Sequence, residues 1–201
     1  MADDLTEKWS NLNLEDEDND VVDLGGIELT DEDDRVSLML VGKLVIDLGF
    51  NVDACKKTMI QAWLMKGKVV IRAIGENLFV FQFFHWRDEE KVMSGRPWCF
   101  EQNLLLLHEI SGNEQPNKVV LTHSPFWVRI ENLPFNCRSD AHVKAITPKL
   151  GELMEIEEDL LGIEKDRRLR VMMDVTKPLL KFVNVVNREG AMVKVKLKYE
   201  S

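Results

Sequence analysis

Hydrophobic and polar positions follow two different periods between residues 36 and 110. Runs of aliphatic and aromatic residues are typical of buried strands, whereas apolar residues three or four positions apart indicate amphipathic helices. The predicted elements are strands at residues 36–45, 69–74 and 78–84, a fourth strand within residues 98–110 whose buried section is residues 104–107, and helices at residues 52–65 and 88–93. Asn51 or Asp53 caps the first of these helices, and Gly67 marks its end. The predicted order of elements is therefore β-α-β-β-α-β.

A second pattern begins after a segment rich in glycine, asparagine, proline and serine, which is typical of a linker. It predicts strands at residues 126–130, 169–175, 180–186 and 192–199, and a helix at residues 140–154. Ser139 caps that helix, and Pro148 and Gly151 must kink or divide it. In the last strand, apolar residues alternate with three lysines, so one face is apolar and the other is cationic.

Together these patterns predict an α+β protein with two folded parts. The first order of elements is that of the ferredoxin-like fold, which RNA-recognition (RRM) domains share. We expect a disordered acidic tail at residues 1–30 and an RRM-like βαββαβ domain at residues 31–112. A linker at residues 113–124 would lead to a smaller β-rich α+β unit at residues 125–201.

Charge is distributed unevenly along the chain and sharpens this division. The 201 residues carry a net charge of −9, which alone argues against a nucleic-acid binder. Residues 1–34, however, hold 14 acidic residues and one basic residue, whereas residues 165–198 hold ten basic residues and three acidic ones. The acidic segment is either a solvated tail, a docking segment, or a shield for a basic surface.

Several classes of protein lack support in the sequence. The three cysteines are far apart and form neither a disulfide framework nor a zinc site, which favours a reducing compartment. No secretory signal and no membrane-spanning run is present, so we expect a location in the nucleus or cytoplasm. The four histidines, His85, His108, His123 and His142, match no ligand or catalytic motif. We therefore expect no enzyme, no metal and no cofactor.

Five separate strings resemble a plant family of domains of unknown function. They are LVGKLV at residues 40–45, NLFVFQFFHWRDEEKVMSGRPWCF at 77–100, FWVRIENLP at 126–134, MMDVTKPL at 172–179 and VKLKYE at 195–200. The family is abundant in the first open reading frame of LINE-type retrotransposons, and Trp98 and Trp127 match its hallmark tryptophans. The resemblance implies an RRM-like fold and a retroelement-derived protein that binds nucleic acid.

The sequence departs from that family at one point. In many members a CCHC zinc knuckle follows the KYE-type segment, but this sequence ends at Ser201, where the knuckle would begin. We therefore expect that the zinc-dependent nucleic-acid contact of those relatives does not carry over.

Basic residues of the C-terminal strands are the candidate phosphate-binding groups. If the predicted strands pair, these residues form a contiguous positive surface whose binding weakens with salt. The alternative is a solvated sheet face whose lysines protect an edge from aggregation. The resemblance favours binding. The candidates are Arg167, Arg168, Arg170, Lys177, Lys181, Arg188, Lys194, Lys196 and Lys198.

Aromatic residues of the third strand allow two interpretations. Phe79, Phe81 and Phe83 share one face, and they either stack on nucleic-acid bases or belong to the core. Core is the more frequent role, and the segment lacks the opening residues of an RNP1 motif. The sequence thus predicts a non-enzymatic, retroelement-derived module for RNA or single-stranded nucleic acid. The alternative is a protein-interaction module that does not bind nucleic acid directly.

Overall fold

A computed structural model of the chain describes residues 38–112, 114–159 and 164–200. Two five-stranded antiparallel sheets with helices on one side make up this part of the chain, which confirms the predicted α+β class. The predicted disordered tail at residues 1–30 lies outside the described residues.

The first half follows the predicted order of elements. Its sheet has the strand order β2-β3-β1-β5-β4. The Asn51 side chain accepts a hydrogen bond from the Ala54 amide at 3.0 Å and so caps the first helix, which ends at the left-handed residue Leu64 before Gly67 is reached. The elements are β1 (Met39–Leu44), α1 (Val52–Trp63), β2 (Val69–Ala73), β3 (Leu78–Phe83), α2 (Trp86–Ser94), β4 (Trp98–Phe100) and β5 (Asn103–Glu109).

The fourth strand predicted within residues 98–110 is β5, and its predicted buried section is largely buried. The same segment also holds the short strand β4, which forms a hairpin with β5. Glu101 and Gln102 connect the two strands, with φ angles of 48° and 66°. Positive φ at both central residues is the geometry of a tight hairpin turn, for which glycine or asparagine is the usual signal. The Glu-Gln pair lacks that signal, so the sequence predicts the fourth strand but not the short strand β4.

Aromatic rings fill the core between this sheet and its two helices. Phe79, Phe81 and Phe83 are each 1–2% exposed, and the Trp63 ring lies 5.2 Å from that of Phe81. The indole N–H of Trp98 donates to the carbonyl of Val92 at 2.7 Å, which ties β4 to α2. Trp98 is therefore a packing residue, as expected for a hallmark of the fold.

The second half contains one short helix and a second sheet with the order β7-β8-β6-β10-β9. The helix predicted at residues 140–154 is wrong beyond Ile146, because a 3-10 turn at Thr147–Lys149 ends it and a strand follows. At Gly151 a Cβ atom would collide with the carbonyl oxygen of Met172, so only glycine fits. The elements are β6 (His123–Glu131), α3 (Asp140–Ile146), β7 (Glu152–Ile156), β8 (Arg167–Asp174), β9 (Phe182–Val186) and β10 (Met192–Glu200).

The two sheets have the same topology. Counted from the first strand of each half, both have the order 2-3-1-5-4. In each half a helix connects strands one and two, but between β8 and β9 residues 175–181 form a loop where the first half has α2. The second half is therefore an RRM-like sheet without its second helix.

Loss of that helix leaves the inner side of β9 less covered than β4. A cavity of about 290 Å³ lies between α3 and β9, and its lining includes Ile146, Val183 and Val185. The remaining inner face is well packed: Val128, Leu169 and Val195 of the central strands are fully buried in this core. The helix side of the second sheet thus supports the fold. The opposite face is exposed at β9 and β10, whereas at β8 it contacts the first half through Arg170.

Candidate nucleic-acid interface

The outer face of the second sheet, which points away from α3, carries most of the exposed cations of the strands. Strand register sets them in rows: Lys198 opposes Arg129, and Arg129 opposes Arg168. Two residues before Lys198 on β10, Lys196 opposes Glu131 of β6 on one side and Phe182 of β9 on the other. We call this surface the cationic face and define it by Trp127, Arg129, Glu131, Arg168, Arg170, Phe182, Lys194, Lys196, Lys198 and Glu200.

Alternation along each strand produces this face. In β10 the even-numbered lysines point outward while Val195 and Leu197 are buried. In β6 the same period sends Trp127 and Arg129 outward and buries Val128. Successive side chains of a strand point to opposite sides, so the outward residues of β6, β8 and β10 lie on one surface. The structure therefore confirms that the last strand has one cationic side.

Carboxylates neutralise part of the cationic face. Glu200 accepts hydrogen bonds from Arg168 at 2.7 Å and from Arg129 at 3.0 Å, and Lys196 donates to Glu131 at 2.8 Å. The Arg168 hydrogen bond holds the pKa of Glu200 below its usual range, and the Lys196 hydrogen bond does the same for the pKa of Glu131. Both carboxylates are therefore charged at neutral pH. Arg168 also pairs with Glu157 at 2.9 Å.

Lys194 and Lys198 are the lysines of the cationic face that are open to an added anion. Both are exposed, and neither forms an ion pair with another described residue. The Lys194 ammonium lies 4.2 Å from the centre of the Phe182 ring, whereas Lys196, although half exposed, is held by Glu131. The available positive charge is therefore concentrated on β10, close to the edge strand β9.

Trp127 contacts two arginine side chains on the same side of the sheet. The Arg168 guanidinium lies 4.0 Å from the centre of its ring, and that of Arg170 lies at 6.0 Å. Both distances are in the range of cation–π contacts. Trp127 thus orders the arginines of β8, a role consistent with its prediction as a hallmark of the fold.

Two candidate arginines are not available to phosphate, which corrects the sequence interpretation. Arg167 is 6% exposed and donates to Asp140 at 2.7 Å and to the carbonyl of Arg138 at 2.7 Å, so it joins β8 to the start of α3. Its position in the alternation explains this, because it shares the inner side with Leu169. Arg170 donates to the backbone carbonyls of Ser94 and Arg96 in the first half.

Three further candidates lie in loops and outside the rows of the cationic face. Lys177 follows β8 and pairs with Asp174 at 3.1 Å. Hydrogen bonds from the Thr176 side chain and backbone lower the pKa of Asp174 to about 2, so this carboxylate stays charged. Lys181 immediately precedes β9, and Arg188 lies in the turn between β9 and β10; both are exposed. They border the face at its β9 edge.

The stacking hypothesis for the first sheet is overturned. Phe79, Phe81 and Phe83 point toward the helices and have no ring face open to a base, because they are 1–2% exposed. The core alternative is the correct one. The sequence interpretation also missed Arg129 and Phe182 as residues of the cationic face. The alternation of FWVRIE along β6 would have indicated Arg129, whereas Phe182 was recognisable only once its strand neighbours were known.

No group of His, Cys, Asp or Glu side chains suited to a metal ion occurs in the part of the chain that the structure describes. Within the same residues no helix is both long and apolar enough to cross a membrane.

The strand order and the two helices of residues 39–109 define an α+β domain of the RRM-like class. The sequence model of a family described as a domain of unknown function (DUF4283) matches residues 32–118, which contain this whole domain. A search among curated proteins finds no match to the chain.

Solved structures similar to this chain include two that contain a pair of RNA recognition (RRM) domains. One is RNA recognition domains 1 and 2 of Sex-lethal from Drosophila melanogaster, with 14% identity, a TM-score of 0.30, and coverage of 67% of this chain and 85% of that one. The other is the first two RRM domains of the yeast poly(U)-binding protein, with 10% identity, a TM-score of 0.26, and coverage of 81% and 99% respectively.

Proposed function

We propose that this chain is a non-enzymatic nucleic-acid-binding protein whose cationic face contacts the phosphate backbone of RNA or single-stranded nucleic acid. The observation that carries the proposal is the row of outward lysines on β10, of which Lys194 and Lys198 lack a carboxylate partner among the described residues. Phosphate oxygens are strong acceptors for ammonium groups, and binding would release counterions from the nucleic acid.

The geometry of the face supports an extended, strand-like ligand more than a small one. The lysines that are open to an added anion lie on one strand, with Lys194 and Lys198 four residues apart on β10. At about 3.4 Å per residue they are about 14 Å apart along the strand, a distance that spans successive phosphates of an extended chain. No deep pocket is required for such contacts, because the nucleic-acid backbone is read from outside.

The resemblance to proteins of LINE-type retrotransposons adds a proposal about origin. The five matching strings lie between residues 40 and 200 and cover most of β6, the end of β8 and most of β10. They include Arg129, Lys196 and Lys198 of the cationic face. We infer a retroelement-derived protein in which this face is the nucleic-acid contact and no metal takes part.

The direct test is to measure binding of a labelled single-stranded RNA to the full-length protein by fluorescence anisotropy. At about 50 mM salt we expect a dissociation constant near 10⁻⁶ M, roughly the strong end of non-specific binding. Replacing Lys194, Lys196 and Lys198 together by alanine should weaken binding about tenfold or more, because the three side chains lie on the face and are exposed.

A matched control variant distinguishes the effect of losing lysines of the cationic face from the effect of losing positive charge anywhere on the protein. Lys57, Lys66 and Lys68 are exposed lysines of the first half, and replacing them by alanine removes the same charge elsewhere. The proposal requires that this control variant binds like the wild type. Absence of RNA binding by the folded wild-type protein, or equal weakening in both triple variants, would refute it.

One observation favours a second candidate, a protein-interaction module. The edge strand β9 has the sequence FVNVV, which carries no charge. Its last residue, Val186, is 68% exposed, and the opposing Met192 of β10 is 73% exposed. An uncharged, apolar edge strand is suited to pairing with a strand of another chain. Sedimentation of the wild type and of the Val186→Lys variant tests whether copies of this chain associate through β9. A monomer at all concentrations would argue against self-pairing.

A further inference from the structure

Phe182 is an aromatic residue that packing does not explain. It lies on the outer side of β9 and is 44% exposed, while its neighbours Val183 and Val185 turn inward to the core. Its ring contacts no other aromatic ring among the described residues.

The surroundings of Phe182 are cationic. Lys196 opposes it directly on β10, and the Lys194 ammonium lies 4.2 Å from its ring centre. Lys181 precedes it in the chain and is also exposed. A flat apolar ring among lysines matches what single-stranded nucleic acid offers, because each nucleotide carries a base with two flat faces beside a phosphate.

We propose that Phe182 is a base-stacking platform at the β9 edge of the cationic face and that it gives the face its preference for single strands. This inference rests on the proposed nucleic-acid binding and adds the class of ligand. A base stacks on the Phe182 ring while a flanking phosphate pairs with the ammonium group of Lys194. In a duplex the bases are already stacked and paired, so the ring has nothing to bind.

The position of Lys194 is compatible with an incoming base. Its contact with the ring is the one interaction that the side chain makes with the described residues, and it is exposed on a flexible stem. An exposed cation–π contact is weaker than the stacking of a base on an aromatic ring. A base can therefore replace the ammonium over the ring, and the ammonium then moves to the adjacent phosphate.

The experiment compares two substitutions at one position and two probes. The probes are a single-stranded RNA of about 12 nucleotides and a duplex of the same length. Phe182→Leu keeps an apolar side chain but removes the aromatic face, and Phe182→Tyr keeps the face. Phe135→Leu is the matched control, because Phe135 is 73% exposed and has Arg138 at 5.4 Å from its ring, but it lies in the turn before α3.

We expect Phe182→Leu to weaken single-strand binding by about tenfold and to leave duplex binding unchanged. Phe182→Tyr and Phe135→Leu should bind both probes like the wild type. Unchanged single-strand binding in Phe182→Leu, combined with loss in the β10 lysine triple variant, would overturn the stacking role and leave the proposed function standing. Failure of the wild type to bind either probe would overturn both.

Size-exclusion chromatography of the same variants distinguishes stacking from a protein contact. If Phe182→Leu converts a dimer into a monomer and leaves the affinity of each chain for RNA unchanged, the ring serves an interface between copies and the stacking role is refuted. A wild-type protein whose mass matches that of Phe182→Leu, with the tenfold difference in RNA affinity, supports it.

Discussion

The two sheets share one strand order but use their faces differently. The first sheet has two helices over an aromatic core, and its outer side carries Val41 and Leu106, which are 0% and 1% exposed. The second sheet has one helix and an aliphatic core, and its outer side carries lysines and arginines. The comparison teaches that topology does not decide which face of a sheet is charged; the residues at the outward positions of each strand do.

Of the substitutions that compare the two sheets, loss of an aromatic core residue of the first sheet should lower the stability of the protein most. Phe81→Ala would remove a fully buried ring that contacts Trp63 and should lower the free energy of unfolding by about 3–5 kcal/mol. Urea denaturation followed by tryptophan fluorescence measures this change. A loss below about 1 kcal/mol would mean that the ring is not part of a packed core.

Arg167 and Arg168 are sequence neighbours that should respond differently. Arg167→Ala leaves Asp140 without its partner and removes a buried guanidinium, so stability should fall by about 2–3 kcal/mol. RNA affinity of the folded variant should stay unchanged, because the side chain is on the inner side. Urea denaturation measures the stability of the variant, and fluorescence anisotropy measures its RNA affinity. Weakened RNA binding at unchanged stability would show that Arg167 contacts the nucleic acid after all.

The order of elements in the first half and the cationic side of β10 were predictable from local sequence patterns. Asn51 caps a helix, and the lysines of the last strand alternate with valine and leucine, so both signals lie within a few residues. The inward direction of Arg167 was also readable, had the alternation of β8 been extended back from Leu169.

Other features depend on contacts between distant segments. Glu200 meets Arg168 and Arg129 only after β6, β8 and β10 have paired, so their mutual neutralisation cannot be inferred from any one segment. The hairpin at Glu101 and Gln102 and the start of β7 were missed because tertiary packing overrides weak turn signals there.

Carboxylates on the cationic face should restrain its binding. Glu131→Gln removes one negative charge and releases Lys196 from an ion pair, so RNA affinity at low salt should rise about two- to fivefold. Glu76→Gln is a suitable control, because Glu76 is exposed in the turn between β2 and β3. Anisotropy measures both variants. If Glu131→Gln binds no more tightly than Glu76→Gln, the carboxylate does not limit the face.

Acid should lower the stability of the second sheet slightly, because it protonates Glu131 and Glu200 and so removes their ion pairs. Glu131 and Glu200 have pKa values in the folded protein below the ordinary value of 4.5. Their stabilisation is therefore complete above that value and is lost as the pH falls through the lower folded pKa. Denaturation midpoints measured at decreasing pH should fall less steeply in the Glu200→Gln variant than in the wild type. Parallel curves would contradict the assigned pairs.

Salt dependence of RNA binding tests the central claim, that the cationic face of the second sheet holds the phosphate backbone, most directly. The slope of log affinity against log salt, measured between about 50 and 200 mM, counts the phosphates that the protein neutralises. In the Lys194, Lys196 and Lys198 triple alanine variant we predict a slope shallower by about two, whereas the Lys57, Lys66 and Lys68 variant keeps the wild-type slope. Equal slopes in all three proteins would contradict the account.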